Sequence, residues 1–118
     1  MKKFQGSCHC GEVSFSFQEE EITSGLRCTC SYCERRGSAV SKFILSKDDL
    51  IVNVAFSNLN LYQFDTKIAK HYFCNKCGIH PFVETLRDPG KFRVNLGCID
   101  GIDVDKLEID IFDGKNLL

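Results

Sequence analysis

Seven of the eight cysteines in this 118-residue chain fall into three short clusters: Cys8-His9-Cys10, Cys28-Thr29-Cys30-Ser31-Tyr32-Cys33 and Cys74-Asn75-Lys76-Cys77. Cysteines one or two residues apart seldom bridge each other, because a disulfide demands a particular Cβ separation and torsion. The same spacing suits thiolates that converge on one ion. Two pairs and one triplet give enough sulfur for one complete tetrahedral zinc site and for a second that is one ligand short. A zinc held by four thiolates is closed and structural, whereas three protein ligands leave a position for water or substrate.

Cys8 and Cys10, read as residues i and i+2 of a strand, project from one face while His9 points away. Cys74-x-x-Cys77-Gly78 reads as a tight turn whose glycine takes the conformation the turn needs. Joining the two pairs through one zinc would staple distant parts of a small sheet. Cys28, Cys30 and Cys33 are close enough to bind an ion by themselves, with a strand followed by a turn aiming all three sulfurs inward. Their fourth position is open to Cys98, His71, His80 or His9, or to an exchangeable ligand. Three thiolates make a zinc site negatively charged and a bound water a poor source of hydroxide. A small-molecule thiol suits such a site better, held as the nucleophilic thiolate, and the resulting chemistry is addition of sulfur to an electrophilic carbon.

Period-two alternation dominates the segments that must position these clusters. Val13, Phe15 and Phe17 alternate with Glu12, Ser14 and Ser16 in a half-buried strand, closed by the solvated run Glu19-Glu20-Glu21. Further strands are expected at Gly25 to Thr29, Ala39 to Leu45, Lys91 to Leu96 and around Leu107, Ile109 and Ile111. Ser46-Lys47-Asp48-Asp49 resembles a helix cap with room for one turn. Leu59 to Phe64 and Lys67 to Phe73 read as a hairpin turning at Asp65-Thr66 and delivering Cys74 and Cys77. Pro81, Pro89-Gly90 and Asp100-Gly101 punctuate the last third of the chain. The expectation is a single mostly β domain over residues 1–118 with little helix.

The formal net charge is −1, with acidic and basic residues interspersed, so there is no single-sign stripe to recommend a nucleic-acid partner. No stretch approaches the roughly 20 apolar residues of a membrane span. Met1 to Ser7 contains no apolar run of the kind a secretory signal needs, so a reducing, cytoplasmic setting is expected. In a chain this small, structural zinc weighs heavily: binding free energies of about 10 to 16 kcal/mol rival the whole net stability of a domain, roughly 5 to 15 kcal/mol.

Four motifs in order, Gly6-Ser7-Cys8-His9-Cys10-Gly11, Cys28-Thr29-Cys30-Ser31-Tyr32-Cys33, Phe73-Cys74-Asn75-Lys76-Cys77-Gly78 and Val94-Asn95-Leu96-Gly97-Cys98-Ile99-Asp100-Gly101, make the chain similar to the glutathione-dependent formaldehyde-activating enzyme family, which includes centromere protein V. The resemblance implies an Mss4-like, zinc-stapled β fold. It further implies that Cys8, Cys10, Cys74 and Cys77 hold a structural zinc and that Cys28, Cys30 and Cys33 hold a second, catalytic one. The implied reaction is carbon-sulfur lyase chemistry, the condensation of glutathione with formaldehyde to S-hydroxymethylglutathione written in reverse. Gly78-Ile79-His80-Pro81-Phe82 and Arg87-Asp88-Pro89-Gly90 look closer to the centromere-protein-V-like branch, and members that share all the thiolates need not share a substrate.

Glutathione carries two carboxylates, so its site should offer cationic side chains. Arg27, Arg35 and Arg36 flank the three-cysteine cluster, and Tyr32 can wall a pocket beside it. His71, His80 and Glu34 are the residues from which a general base could come. Two other readings use the same residues: a non-catalytic zinc module that binds a protein, and a labile zinc or redox-sensing site whose thiolates oxidise once metal leaves.

Overall fold

The computed structural model describes residues 1–54, 58–63, 70–85 and 90–117. Strands β1 (Lys2–Ser7) and β2 (Val13–Glu19) form an antiparallel hairpin, and β5 (Ile51–Val54) pairs with the other edge of β2. The predicted alternation holds: Val13, Phe15 and Phe17 are buried and the residues between them are not. β1 was not expected, because Lys2-Lys3-Phe4-Gln5-Gly6-Ser7 offers only one large apolar residue to mark an inward face. It is held by its ladder to β2 and by Phe4 stacked 5.5 Å from Phe17.

A five-stranded antiparallel sheet runs in the order β4 (Leu45–Ser46), β9 (Lys91–Val94), β8 (Phe82–Glu84), β7 (Lys70–Cys74), β6 (Leu59–Tyr62). Its inner face meets the three-stranded sheet through Phe15 and Phe82, whose rings lie edge to face at 6.2 Å. Phe17, Val94, Leu96 and Ile99 complete this core. Each such side chain removed from water contributes roughly 1.5 to 3 kcal/mol. A third, two-stranded parallel sheet joins β3 (Ser24–Cys28) to β10 (Glu108–Phe112), which sets Phe112 opposite Cys28. Among the described residues the helical elements include α1 (Ser31–Arg36), α2 (Gly114–Leu117) and short 3-10 turns at Leu96–Cys98 and Val104–Lys106. The chain is mostly β, as expected, and among the described residues no helix is long and apolar enough to cross a membrane.

Several elements differ from expectation for local reasons. The strand expected at Ala39 to Leu45 reduces to a bridge at Val40 and the two residues of β4. Val40 exchanges both backbone hydrogen bonds with Leu26 at 2.8 Å, and the Ser41 hydroxyl donates to the Phe43 carbonyl at 2.8 Å, bending the chain out of the ladder. β9 stops at Val94 rather than Leu96, because the Asn95 side chain accepts from Gly97 N–H at 3.0 Å and opens a 3-10 turn. In β10 Ile111 is 62% exposed, so the alternation marked a strand without marking a buried face. Ser46 to Asp49 forms a single turn, with the Leu50 N–H donating to Ser46 O at 3.1 Å. The hairpin turn expected at Asp65-Thr66 and most of Arg87-Asp88-Pro89-Gly90 lie outside the described residues.

Candidate metal centres and the adjoining cleft

Cys8 and Cys10 are not on a strand. They occupy the turn between β1 and β2, closed by the Cys8 N–H on Val13 O at 2.9 Å and the Gly11 N–H on Cys8 O at 3.2 Å, with Gly11 at φ 84°. A turn folds the i and i+2 sulfurs toward one point, where a strand would have left them parallel. Cys74 ends β7, and the Gly78 N–H bonding Cys74 O at 2.9 Å curls Cys77 back beside it. All four sulfurs lie within 4.8 Å of one another. Cys10 Sγ is 3.6 Å from both Cys8 Sγ and Cys74 Sγ. A tetrahedron with zinc-sulfur bonds of about 2.3 Å has edges of about 3.8 Å, so this sulfur set fits a zinc ion.

Backbone amides already point at these sulfurs: Val13 N–H to Cys8 Sγ and Lys76 N–H to Cys74 Sγ, each at 3.4 Å. Burial pushes the Cys77 thiol up, but the N–H groups of Ile79 and Cys10 and the thiols of Cys8 and Cys74 outweigh it and bring it down to about 6. Glu12 and Lys76, one from each half-site, form an ion pair at 2.9 Å that Asn58 also supports through a 2.9 Å bond to Glu12. The Lys76 hydrogen bond and charge hold the Glu12 carboxyl below its usual range. Cys98 belongs to this neighbourhood and not to the three-cysteine cluster: burial first, then Cys8 and Cys77, push its thiol up to about 11.

The second cluster is built where β3 runs into α1. Cys28 is the last residue of β3 and Cys30 caps the helix in an extended conformation (φ −60°, ψ 161°), its sulfur accepting from Cys33 N–H at 3.4 Å. The Cys30 N–H donates in turn to Cys28 Sγ at 3.4 Å. The three sulfurs lie within 4.8 Å of one another, and among the described residues no histidine, carboxylate or further cysteine joins them. A strand followed by a helix, rather than by a turn, brings them together. Burial pushes the Cys30 thiol up, but the Cys33 N–H and the neighbouring thiols prevail and lower it, whereas burial raises Cys28 and Cys33. Donor type and clustering fit zinc here too.

The C-terminal segment braces this cluster. Thr29 N–H donates to Phe112 O at 3.0 Å, and its hydroxyl accepts from Lys115 N–H at 3.2 Å. Gly114 is thereby pressed against Cys28 and Cys30, close enough that a β-carbon would collide with Cys28 Sγ. Nothing in the sequence marks Gly114 for this role, since one glycine near a terminus carries no distance information.

Beside α1 opens a cleft of about 600 Å³ lined by Tyr32, Arg35, Arg36, Tyr62, Phe73 and His80 together with Gly78. Tyr32 is its centre: its ring stacks on Tyr62 at 5.5 Å, packs on His71 at 3.9 Å and meets His80 at 5.7 Å. Arg36 lies over the same ring, 5.9 Å from its centroid. Burial, with help from the Arg36 charge, drives His71 down to about 4 and lowers His80 as well, so both imidazoles stay neutral at pH 7. Burial also pushes the Tyr32 phenol up to about 12. Among the described residues no carboxylate forms an ion pair with Arg35 or Arg36. Arg27 is elsewhere, on a separate cleft of about 380 Å³ with Asn95 and Asp105. His9 and Glu34 are exposed, in the first cysteine turn and on α1. Tyr62 was not among the expected site residues, because local spacing has no means of pairing it with Tyr32.

Comparison with known proteins places this arrangement. A family model described as "Glutathione-dependent formaldehyde-activating enzyme" matches residues 3–114. A protein of Halomonas elongata bearing the name "Putative glutathione-dependent formaldehyde-activating enzyme" is 26% identical over 131 aligned positions, covering 90% of this chain and 83% of its own length. A crystal structure of a Rhodobacter sphaeroides protein superposes with a TM-score of 0.77 at 33% identity, covering 90% of this chain and 99% of that one. With the family model spanning both cysteine clusters and the cleft between β6 and α1, the chain belongs to the glutathione-dependent formaldehyde-activating enzyme family.

Proposed function

We propose that this protein is a zinc-dependent carbon-sulfur lyase-type enzyme that joins a thiol such as glutathione to an aldehyde, with Cys28, Cys30 and Cys33 as the catalytic metal site and Cys8, Cys10, Cys74 and Cys77 as the structural one. The observation that carries this reading is the contrast between the clusters. Four sulfurs close one site, while the other three, with no fourth donor among the described residues, gather at the start of α1, whose Cys33 shares the helix with the cleft-lining Tyr32, Arg35 and Arg36. Zinc held by three cysteines would supply a Lewis acid that favours the thiolate form of an incoming thiol.

The side chains of the cleft provide the rest. Arg35 and Arg36 attract the carboxylates of glutathione and orient it by charge-assisted hydrogen bonds. His80, neutral and in the cleft wall, would accept the thiol proton and return it to the carbonyl oxygen. Tyr32 excludes water from one side. Sulfur adds to the carbonyl carbon, the carbonyl π pair moves to oxygen, and that oxygen takes the proton, so catalysis consists of positioning and proton management.

Exchange NMR of glutathione and formaldehyde with and without the zinc-loaded protein tests the reaction, with Cys30→Ser as control. Equal exchange rates in all three samples would sink the assignment. Metal analysis before and after dialysis against glutathione separates an accessible second site from a closed structural one.

A further inference from the structure

A one-carbon aldehyde makes no use of the aromatic walls of the 600 Å³ cleft. Sites of roughly 300 to 1,000 Å³ enclose drug-sized ligands, and this one has walls of aromatic rings. Tyr62 is the informative residue. It sits on the edge strand β6, 48% exposed, where packing of the core does not require a ring. Even so, its ring stacks on Tyr32, with 5.5 Å between the centroids and 17° between the planes, so that a held, flat aromatic surface remains exposed on the cleft. Phe73 and His80, 5.8 Å apart, form a second aromatic wall. The lining is predominantly apolar, and its charge is confined to Arg35 and Arg36.

Aromatic faces prefer flat partners in offset or edge-on contact. From this geometry, and resting on the thiol-to-aldehyde reading above, we infer that the aldehyde partner is a planar aryl or conjugated aldehyde seated against the exposed surface of the Tyr62 ring, which Tyr32 holds in place. The arginines at the rim remain for the carboxylates of the thiol. The step balances without an oxidant: the thiol S–H gives up its proton, a carbon-sulfur bond forms, and the carbonyl π pair moves to oxygen, which takes a proton to give a hemithioacetal.

The test compares S-benzylglutathione with S-methylglutathione, stable thioether mimics of an aryl and a one-carbon adduct, titrated calorimetrically into the zinc-loaded protein. The benzyl compound should bind at least about tenfold tighter, the scale of a single well-buried ring contact. Tyr62→Ala should bring it down to the methyl value, and Tyr62→Phe should keep the preference. Alongside, the ratio of catalysed to uncatalysed addition of glutathione should be higher for benzaldehyde than for formaldehyde. Equal affinities in the native protein, or a preference that survives Tyr62→Ala, would overturn the inference. Titration of the cobalt-substituted protein with glutathione separates the two levels of failure. A sulfur-to-cobalt absorption change with no aryl preference removes only the aldehyde class, whereas no change and no binding of either thioether removes the thiol reading with it.

Discussion

The α-carbon of Gly114 faces the sulfur of Cys28 with no room for a methyl group between them, since a β-carbon there would collide with Sγ and come within 3.1 Å of Cys30 Cβ. Gly114 does not have a positive φ, so its lack of a side chain serves space and not backbone conformation. Changes that disturb the support of metal ligands commonly cost 10- to 100-fold in metal affinity. Gly114→Ala should therefore weaken zinc at the three-cysteine cluster by about that factor while the four-cysteine cluster keeps its ion. Competition with a chromophoric chelator, read as two release phases, checks this.

The two half-sites of the four-sulfur cluster lie 64 residues apart, from Cys10 to Cys74, and come from different sheets. Cys74→Ser should abolish cooperative thermal unfolding, because about 10 to 16 kcal/mol of zinc binding is lost from a domain whose net stability is about 5 to 15 kcal/mol. Cys30→Ser should leave a cooperative transition in place. Paired melting curves with and without chelator distinguish the two clusters.

His71 is 4% exposed and its imidazole is driven down to about 4 by burial, the Arg36 charge and His80. An unfolded chain protonates it near 6.5. Between these values the unfolded state binds more protons, so stability is lost as pH falls from about 6.5 toward 4, by up to about 3 kcal/mol. Denaturation midpoints measured across that range should fall less steeply in His71→Phe. Acid also releases zinc from thiolates, so the comparison is made between the two proteins at matched metal content.

Arg36 acts on the imidazole of His80 in the cleft wall and on that of the buried His71. If the proposed reaction holds, Arg36→Gln should raise the KM for glutathione about tenfold, the scale of one charge-assisted hydrogen bond, with a smaller effect on kcat. Removing the positive charge should also raise the His80 pKa toward its ordinary value. Proton NMR titration of that ring reports the electrostatic change independently of turnover.

The sulfur clusters were legible in the sequence because their members are local: one or two intervening residues leave little freedom, and the hairpin turn and the helix cap only refined how the sulfurs converge. The buried face of Val13, Phe15 and Phe17 was legible for the same reason, since period-two alternation is a property of neighbours. Ala39 to Leu45 misled because a short hydroxyl, Ser41, bends the backbone by a hydrogen bond that apolar patterning does not register. Cys98, sequentially isolated, could be assigned to neither cluster until the chain brought it near Cys8 and Cys77.

What the sequence determined by itself was therefore the two cysteine clusters and the mostly β class. The tertiary structure decided the cleft, by laying Tyr62 of β6 over Tyr32 of α1, setting Arg36 over the same ring, and sending Arg27 to a different cleft. It also decided that Gly114 of α2 would fit against Cys28 of β3, because β10 runs parallel to β3 and ends where the cluster begins. Ligand spacing is written in adjacent residues, whereas a wall made by residues from separate elements exists only once packing and strand register have placed them.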